Sequence, residues 1–140
     1  MRATTVKPRN NDAAQLAGAH VLVVEDELLL LLELESVLRA AGAEEVYLCR
    51  NVNDALACAE SQKLTLAILD IRLGQESVTP VARRLTNDGT PFMFYTGQTL
   101  TDPLFAELRA CKIVSKPARP QIIIQALADL SHQNSEAAQC

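Results

Sequence analysis

Short runs of apolar residues alternate along the chain with longer stretches in which apolar residues recur at helical spacing. The short runs predict five strands, over residues 20–24, 45–49, 66–69, 92–95 and 113–115. The longer stretches predict five helices, over residues 27–41, 52–62, 77–87, 103–110 and 120–133. Strands that alternate with helices through short loops predict an α/β fold, in which a parallel sheet is covered on both faces.

Local signals set the helix boundaries. Gly42 and the pair Asp88-Gly89 are typical helix stops, and Asn51 or Asn53 is a suitable N-cap. Pro80 fits only in the first turn of its helix, where its missing N–H costs nothing.

The two ends of the chain lack this periodicity. Residues 1–17 are predicted to form a flexible leader and residues 134–140 a frayed tail, which leaves one domain over 18–133. A chain of 140 residues suits one compact domain, and a hydrophobic content of 49% supplies its core.

Composition excludes several classes of function. A net charge of −4 argues against a nucleic-acid-binding surface, and no apolar run approaches the ~18 residues of a membrane span. The four cysteines show no metal-type spacing, and no signal peptide is evident. We therefore expect a reduced, cytoplasmic protein without membrane or nucleic-acid partners.

Polar residues follow four of the predicted strands, at the point where each strand ends. They are the pair Glu25-Asp26, then Asp70, Thr96 and Lys116. In an open parallel sheet, the carboxyl ends of the strands share one edge, and ligands bind there. The sequence therefore predicts a site in which three carboxylates, a hydroxyl and an amine meet.

Three carboxylates in one place repel one another unless a cation is present. Oxygen-rich acidic sites suit Mg²⁺, or Mn²⁺ in its place, and the expected ligands are Asp26, Asp70 and a backbone carbonyl in the following loop. Glu25 is longer and could hold a bound water. A carboxylate beside such an ion can attack a phosphoryl group, and Lys116 and Thr96 would then bind the phosphoryl oxygens.

Each of these residues alone has an ordinary explanation. The acids after the first strand suit a helix cap, Thr96 suits a turn, and Lys116 suits a solvated loop. The combination in this order, with Pro117 after the lysine, is what favours a phosphoryl site.

Four motifs together resemble the receiver domain of two-component response regulators, over residues from about 19 to 132. They are Val-Leu-Val-Val-Glu-Asp-Glu at 21–27, Leu-Asp-Ile at 69–71, Tyr-Thr-Gly at 95–97 and Ser-Lys-Pro at 115–117. The resemblance implies a flavodoxin-like, doubly wound (βα)5 three-layer sandwich with a parallel five-stranded sheet of order 2-1-3-4-5.

The resemblance also implies a role for each site residue. Asp70 would be the phosphoacceptor, Thr96 the switch hydroxyl and Lys116 the phosphate-binding lysine. Glu25 and Asp26 would organise Mg²⁺, with the backbone carbonyl of Arg72 completing the metal site. The bond Lys116-Pro117 would be cis, as is common in the family.

Two features depart from the family pattern. Ile113 stands three positions before the lysine, where the family often has an aromatic gate; Tyr95 is a candidate substitute, although packing in the strand is its simpler role. The segments 73–77 and 91–97 resemble a subgroup of single-domain receivers with a Phe-Ala-Thr-Gly signature, from which Tyr95 and Gln98 depart.

The first helix raises a separate question. Its predicted inner stripe is Leu30, Leu34, Val37, Leu38 and Ala41, which places Leu29 and Leu32 on the side of Glu33, Ser36 and Arg39. Leu29 and Leu32 either cover a loop, or are scattered surface leucines, or form an apolar patch that docks a partner.

The expected function is a stand-alone receiver that takes a phosphoryl group on Asp70 from a histidine kinase or a histidine phosphotransfer protein. Such a protein is not an enzyme in the usual sense, since it catalyses only its own phosphorylation and dephosphorylation. Its output would be contact with a downstream protein or onward transfer, as a monomer or weak homodimer. The alternatives are a degenerate receiver that only binds a partner, and an aspartyl-phosphate phosphatase, which would need an acid where Arg72 stands.

Overall fold

The computed structural model describes residues 15–97 and 112–133. Its strands are β1 (His20–Val24), β2 (Glu45–Cys49), β3 (Leu66–Leu69), β4 (Arg72–Leu73), β5 (Glu76–Ser77), β6 (Phe92–Thr96) and β7 (Lys112–Ser115). Its helices are α1 (Leu28–Ala40), α2 (Val52–Ser61), α3 (Thr79–Asp88) and α4 (Pro120–Gln133). The predicted helix over 103–110, the tail over 134–140 and most of the leader lie outside the described residues.

Five strands form one parallel sheet in the order β2-β1-β3-β6-β7. The two short strands β4 and β5 pair with each other in a separate antiparallel hairpin. Counted without this hairpin, the order is 2-1-3-4-5, so the predicted sheet is confirmed. The order reverses between β1 and β3, which places the crevice for a ligand beyond the carboxyl ends of these two strands.

The strands are apolar throughout because both faces of the sheet are buried. Alternate residues of β1, β3 and β6 point to opposite faces and enter two separate core clusters. One cluster packs against α2 and α3, and its strand residues are Leu22, Val24, Ala67, Leu69, Phe92 and Phe94. The other packs against α1 and α4, and its strand residues are Val21, Val23, Leu66, Ile68, Met93 and Tyr95. The predicted three-layer arrangement is therefore confirmed.

Helix ends follow the predicted signals. The Asn51 side chain accepts a hydrogen bond from the Asp54 N–H at 2.8 Å and so caps α2. Pro80 lies in the first turn of α3, and Gly89 ends this helix in the left-handed conformation with φ of 75°. Helix α3 begins at Thr79, two residues later than predicted, because Ser77 pairs with Arg72 in the hairpin.

The buried stripe of α1 differs from the prediction at its start. Leu31 is buried, whereas Leu30 and Val37 are only half-buried. Because residues 28–32 are all leucine, this run does not indicate which of its residues are buried. The buried face of the helix is set instead by Leu34 and Leu38. Leu31 lies three residues before Leu34 and therefore shares its face.

Leu29 and Leu32 lie on the exposed side of α1 together with Glu33, Ser36 and Arg39, as the helical pattern predicts. Leu29 is 77% exposed and Leu32 is 46% exposed, and Leu28 beside them is also exposed. These three leucines, called here the α1 leucine patch, lie on adjacent turns at the start of the helix.

Packing also extends beyond the predicted limits of the domain. Leu16, inside the segment 1–17 assigned to the leader, is buried in the cluster against α1 and α4, and its N–H donates to the Ala41 carbonyl at 3.0 Å.

Burial first, and then the nearby Cys58, raise the pKa of Cys49 to about 12, so this thiol acts as a small hydrophobe. Among the described residues, no helix has the length and apolar character to cross a membrane.

Candidate functional site

The loop after β1 contributes the first two acids. The Glu25 N–H donates to the Cys49 carbonyl at 3.0 Å, so the backbone still follows the sheet at this position. Glu25 is only 2% exposed, and its Oε2 accepts a hydrogen bond from the Glu27 N–H at 3.0 Å. Asp26 is half-buried. The Glu25 side chain therefore points toward the carboxyl edge of the sheet, on the side of β3.

The third acid follows β3, the neighbour of β1. The Asp70 N–H donates to the Val24 carbonyl at 3.0 Å, and the residue is buried. This register brings ligand oxygens of Glu25, Asp26 and Asp70 within 4.8 Å of one another. Three carboxylates at this spacing are a donor set that fits a hard divalent cation such as Mg²⁺.

The strand ends on the other side supply the hydroxyl and the amine. Thr96 is buried at the end of β6, and its carbonyl accepts a hydrogen bond from the Lys116 N–H at 2.9 Å. The Lys116 Nζ lies 2.8 Å from Glu25 Oε1 and 2.8 Å from Asp70 Oδ2. The Lys116-Pro117 bond is cis, as predicted. The structure thus brings the predicted amine into direct contact with two of the predicted acids.

Burial dominates the ionisation of Glu25. Desolvation raises the pKa of Glu25 above its ordinary value, and the hydrogen bond from Lys116 offsets only part of this rise. For Lys116, desolvation lowers the pKa, but the hydrogen bonds to Asp70 and Glu25 outweigh it, so the pKa is raised. One shared ammonium therefore stabilises two carboxylates, while the burial of Glu25 still costs free energy when it is ionised.

The hairpin β4–β5 lies directly after Asp70. Arg72 begins β4 two residues beyond the acid, and it is half-buried. Gly74 occupies the hairpin turn with φ of 63°, and a Cβ on it would lie 3.8 Å from Asp26 Oδ2. The hairpin backbone therefore approaches the acidic cluster closely, and a side chain at residue 74 would strain the turn.

Sequence analysis missed Arg50, which also belongs to this edge of the sheet. Its Nη2 donates to the Asp26 carbonyl at 2.8 Å and its Nε donates to the same oxygen at 3.2 Å. The signal was present, because Arg50 directly follows β2 just as Glu25, Asp70 and Lys116 directly follow their strands.

Tyr95 and Ile113 occupy packing positions. Tyr95 is buried in the cluster against α1 and α4, and its hydroxyl oxygen accepts a hydrogen bond from the Ala118 N–H at 3.1 Å. The Lys116 Nζ lies 5.8 Å from the centre of the Tyr95 ring. Ile113 is half-buried against the other cluster. Tyr95 therefore connects β6 to the loop that carries Lys116, a contact that Ile113 does not make.

The profile of the response regulator receiver domain family matches residues 21–128. The chain belongs to this family. The polar residues predicted to form the site, from Glu25 to Lys116, fall inside the matched range. A search of curated proteins finds no match.

Solved structures agree with the family. SdrG from Sphingomonas melonis Fr1 is 35% identical over 81% of this chain and 96% of its own, with a TM-score of 0.71. A response regulator receiver protein from Sinorhizobium medicae WSM419 is 24% identical over 84% of this chain and 97% of its own, with a TM-score of 0.74. The response regulator PhyR from Brucella abortus is 22% identical with a TM-score of 0.75; the match covers 90% of this chain but 53% of PhyR. The last two likenesses show the fold alone.

Proposed function

We propose that this receiver domain is a phosphoacceptor switch that accepts a phosphoryl group on Asp70. The observation that carries the proposal is the shared contact of Lys116 with Asp70 and Glu25 beside three clustered carboxylates. A nucleophilic carboxylate, a cation for the phosphoryl oxygens and ligands for a divalent ion are all that this transfer requires.

The donor is a phosphohistidine of a histidine kinase or a histidine phosphotransfer protein. An Asp70 oxygen attacks phosphorus, the O–P bond forms, and the P–N bond to the donor imidazole breaks. The Lys116 ammonium, already 2.8 Å from Asp70, binds a phosphoryl oxygen, and the Thr96 hydroxyl donates to another. Water later attacks the acyl phosphate and releases inorganic phosphate, so the domain catalyses only its own phosphorylation and dephosphorylation.

Glu25, Asp26, Asp70 and the backbone carbonyl of Arg72 would hold Mg²⁺, or Mn²⁺ in its place. When bound, the ion supplies positive charge, which reduces the electrostatic repulsion between the phosphoryl oxygens and the carboxylates. We place this chemistry in the cytoplasm, where the kinase domains and Mg²⁺ are found, with output through contact with a downstream protein or onward transfer. The domain acts as a monomer or weak homodimer.

The test is incubation with acetyl phosphate and Mg²⁺, followed by intact mass. The wild-type protein should gain one labile phosphoryl group, whereas Asp70→Asn should gain none because the nucleophilic oxygen is lost. Asp129→Asn, on α4 and away from the site, is the matched control and should gain the group as the wild type does. No gain by the wild type with either Mg²⁺ or Mn²⁺ would favour a receiver that only binds a partner.

The α1 leucine patch is the proposed contact for the phosphoryl donor. It lies on the helix that follows the loop of Asp26, and a groove of about 160 Å³ opens beside the same helix. This groove is lined by Leu30, Leu34 and Val37 of α1, together with Tyr95, Lys116, Pro117 and Ala118. None of the three patch leucines lines this groove, so a partner helix that covers the patch would contact a different face of α1.

Changing both Leu29 and Leu32 to Glu should slow phosphotransfer from a cognate histidine protein about tenfold or more, since two apolar contacts are lost and charges are buried. Phosphorylation by acetyl phosphate should be unchanged, because neither leucine contacts the site. Rates are measured with a labelled phosphohistidine donor and with acetyl phosphate in parallel. Equal loss in both assays would contradict docking and indicate misfolding.

A further inference from the structure

Arg50 links two loops that are far apart in sequence. It directly follows β2, and its guanidinium reaches the loop after β1, where Nε and Nη2 both donate to the Asp26 carbonyl at 3.2 and 2.8 Å. Hydrogen bonds from a charged donor are stronger than neutral ones, and two from one planar group also fix direction. The main chain at Asp26 is therefore held by a side chain from the neighbouring strand.

The loop after β1 needs such support because its own sequence supplies little. Glu27 is the N-cap residue of α1, yet its side chain makes no capping hydrogen bond. The Glu27 N–H is instead bonded to Glu25 Oε2, so the side chain of one acid already fixes the residue after Asp26. Arg50 holds the carbonyl of Asp26 itself.

The segment that carries Arg50 is anchored in turn. Asn51 caps α2, and the Val52 N–H donates to Glu76 Oε1 of the hairpin at 3.2 Å. The hairpin also places Gly74 against the Asp26 carboxylate. Residues 50–52 thus connect the loop after β1, which contains Asp26, to the hairpin after β3.

We propose that Arg50 is a positioning residue for the acidic site: by holding the Asp26 main chain, it keeps the Asp26 carboxylate among the ligands of a divalent cation. Both hydrogen bonds of Arg50 are to the Asp26 carbonyl and not to a carboxylate of the site. The proposal rests on the proposed function, since it concerns the same site, but it concerns cation binding and can be tested without phosphorylation.

Charge and position predict opposite effects for this residue. If Arg50 acted only through its charge, its removal would relieve repulsion of a divalent cation, and Mg²⁺ would bind more tightly. If it acts by holding Asp26, its removal lets the carboxylate drift and Mg²⁺ binds more weakly, as is typical when outer partners of metal ligands are changed.

The experiment measures the thermal midpoint of unfolding as Mg²⁺ is added to metal-free protein. The stabilisation follows RT ln(1 + [Mg²⁺]/Kd), so a fit of this dependence gives Kd, the half-saturating Mg²⁺ concentration of the folded protein. We expect this concentration to rise about tenfold in Arg50→Gln. It should also rise in Arg50→Lys, which keeps the charge but loses the planar fork of donors. Arg39→Gln is the matched control, since Arg39 pairs with Glu35 on the exposed face of α1, and it should match the wild type.

Several outcomes would overturn the proposal. They are an unchanged or lower half-saturating concentration in Arg50→Gln, a wild-type value for Arg50→Lys, or a lower metal-free midpoint with unaltered Mg²⁺ dependence. If Arg50→Gln does not fold, Arg50→Lys decides alone. A wild-type protein that binds Mg²⁺ in this Arg50-dependent manner but gains no phosphoryl group would refute the proposed function and leave this inference standing.

Discussion

Replacing Lys116 with Met should slow the gain of a phosphoryl group from acetyl phosphate by about 100-fold, the usual cost of removing one preorganised donor to a charged oxygen. The ammonium touches Asp70 at 2.8 Å, so it lies where the incoming phosphoryl oxygens collect. Met has a similar length and fills the same space without charge. The rate is measured by intact mass over time at saturating Mg²⁺.

The same substitution should also destabilise the metal-free protein, by on the order of 3 kcal/mol at neutral pH, because two carboxylates lose their shared cation. Glu25 already has a raised pKa from burial, and without the hydrogen bond from Lys116 this pKa rises further. Glu25 in the folded variant then binds a proton up to a higher pH than in the folded wild type, so the free energy of unfolding of the variant falls more steeply as pH rises.

The pH dependence has a definite window. The deficit of Lys116→Met should be smaller near pH 4.5, the ordinary pKa of Glu25, where only the contact with Asp70 contributes, and should grow as pH rises through the raised pKa of Glu25. It should shrink again above pH 10.5, where the unfolded wild type loses the proton of Lys116, and vanish as pH rises through the raised pKa of Lys116 in the folded protein. Urea unfolding in EDTA at several pH values measures it.

Lys112→Met is the matched control, because Lys112 begins β7, the strand that Lys116 directly follows, and is exposed. It should leave both the rate and the stability near wild-type values. A deficit of Lys116→Met that is the same at pH 5 and pH 8 would contradict a role for Glu25 in this linkage.

The main sheet was predictable from sequence because its strands are buried on both faces. A run such as Leu66–Leu69 is apolar at every position, and only a strand between two helical layers needs that pattern. The hairpin β4–β5 was missed for the opposite reason. Its strands have two residues each and little apolar pattern, and Gly74 is its only local signal.

One rule about parallel sheets was enough to predict part of the site. Residues that directly follow parallel strands meet at one edge, and this rule brought Glu25, Asp70 and Lys116 together. Arg50 obeys the rule, but its partner is a backbone carbonyl 24 residues away, which no pattern of side chains indicates. The raised pKa of Glu25 also depends on the depth of burial, which strand ends alone do not give.

Replacing Leu69 with Ala should lower the free energy of unfolding by about 3–5 kcal/mol, a large share of the stability of a domain of this size. Leu69 is 0% exposed, and its neighbours across the sheet are Val24 in β1 and Phe94 in β6. The lost side chain leaves a cavity between these strands and the α2–α3 layer, because strands fixed by hydrogen bonds on both sides cannot close it. Urea unfolding measures the change.

Leu29→Ala makes the same chemical change at a position that is 77% exposed, so it should alter stability by no more than about 0.5 kcal/mol. The comparison separates burial from the loss of a leucine as such. Because Leu69 immediately precedes Asp70, the Leu69→Ala protein should also acquire the phosphoryl group more slowly in the fraction that remains folded. Equal effects of the two substitutions on stability would mean that β3 is not the centre of the core, and the placement of Asp70 at its end would lose its support.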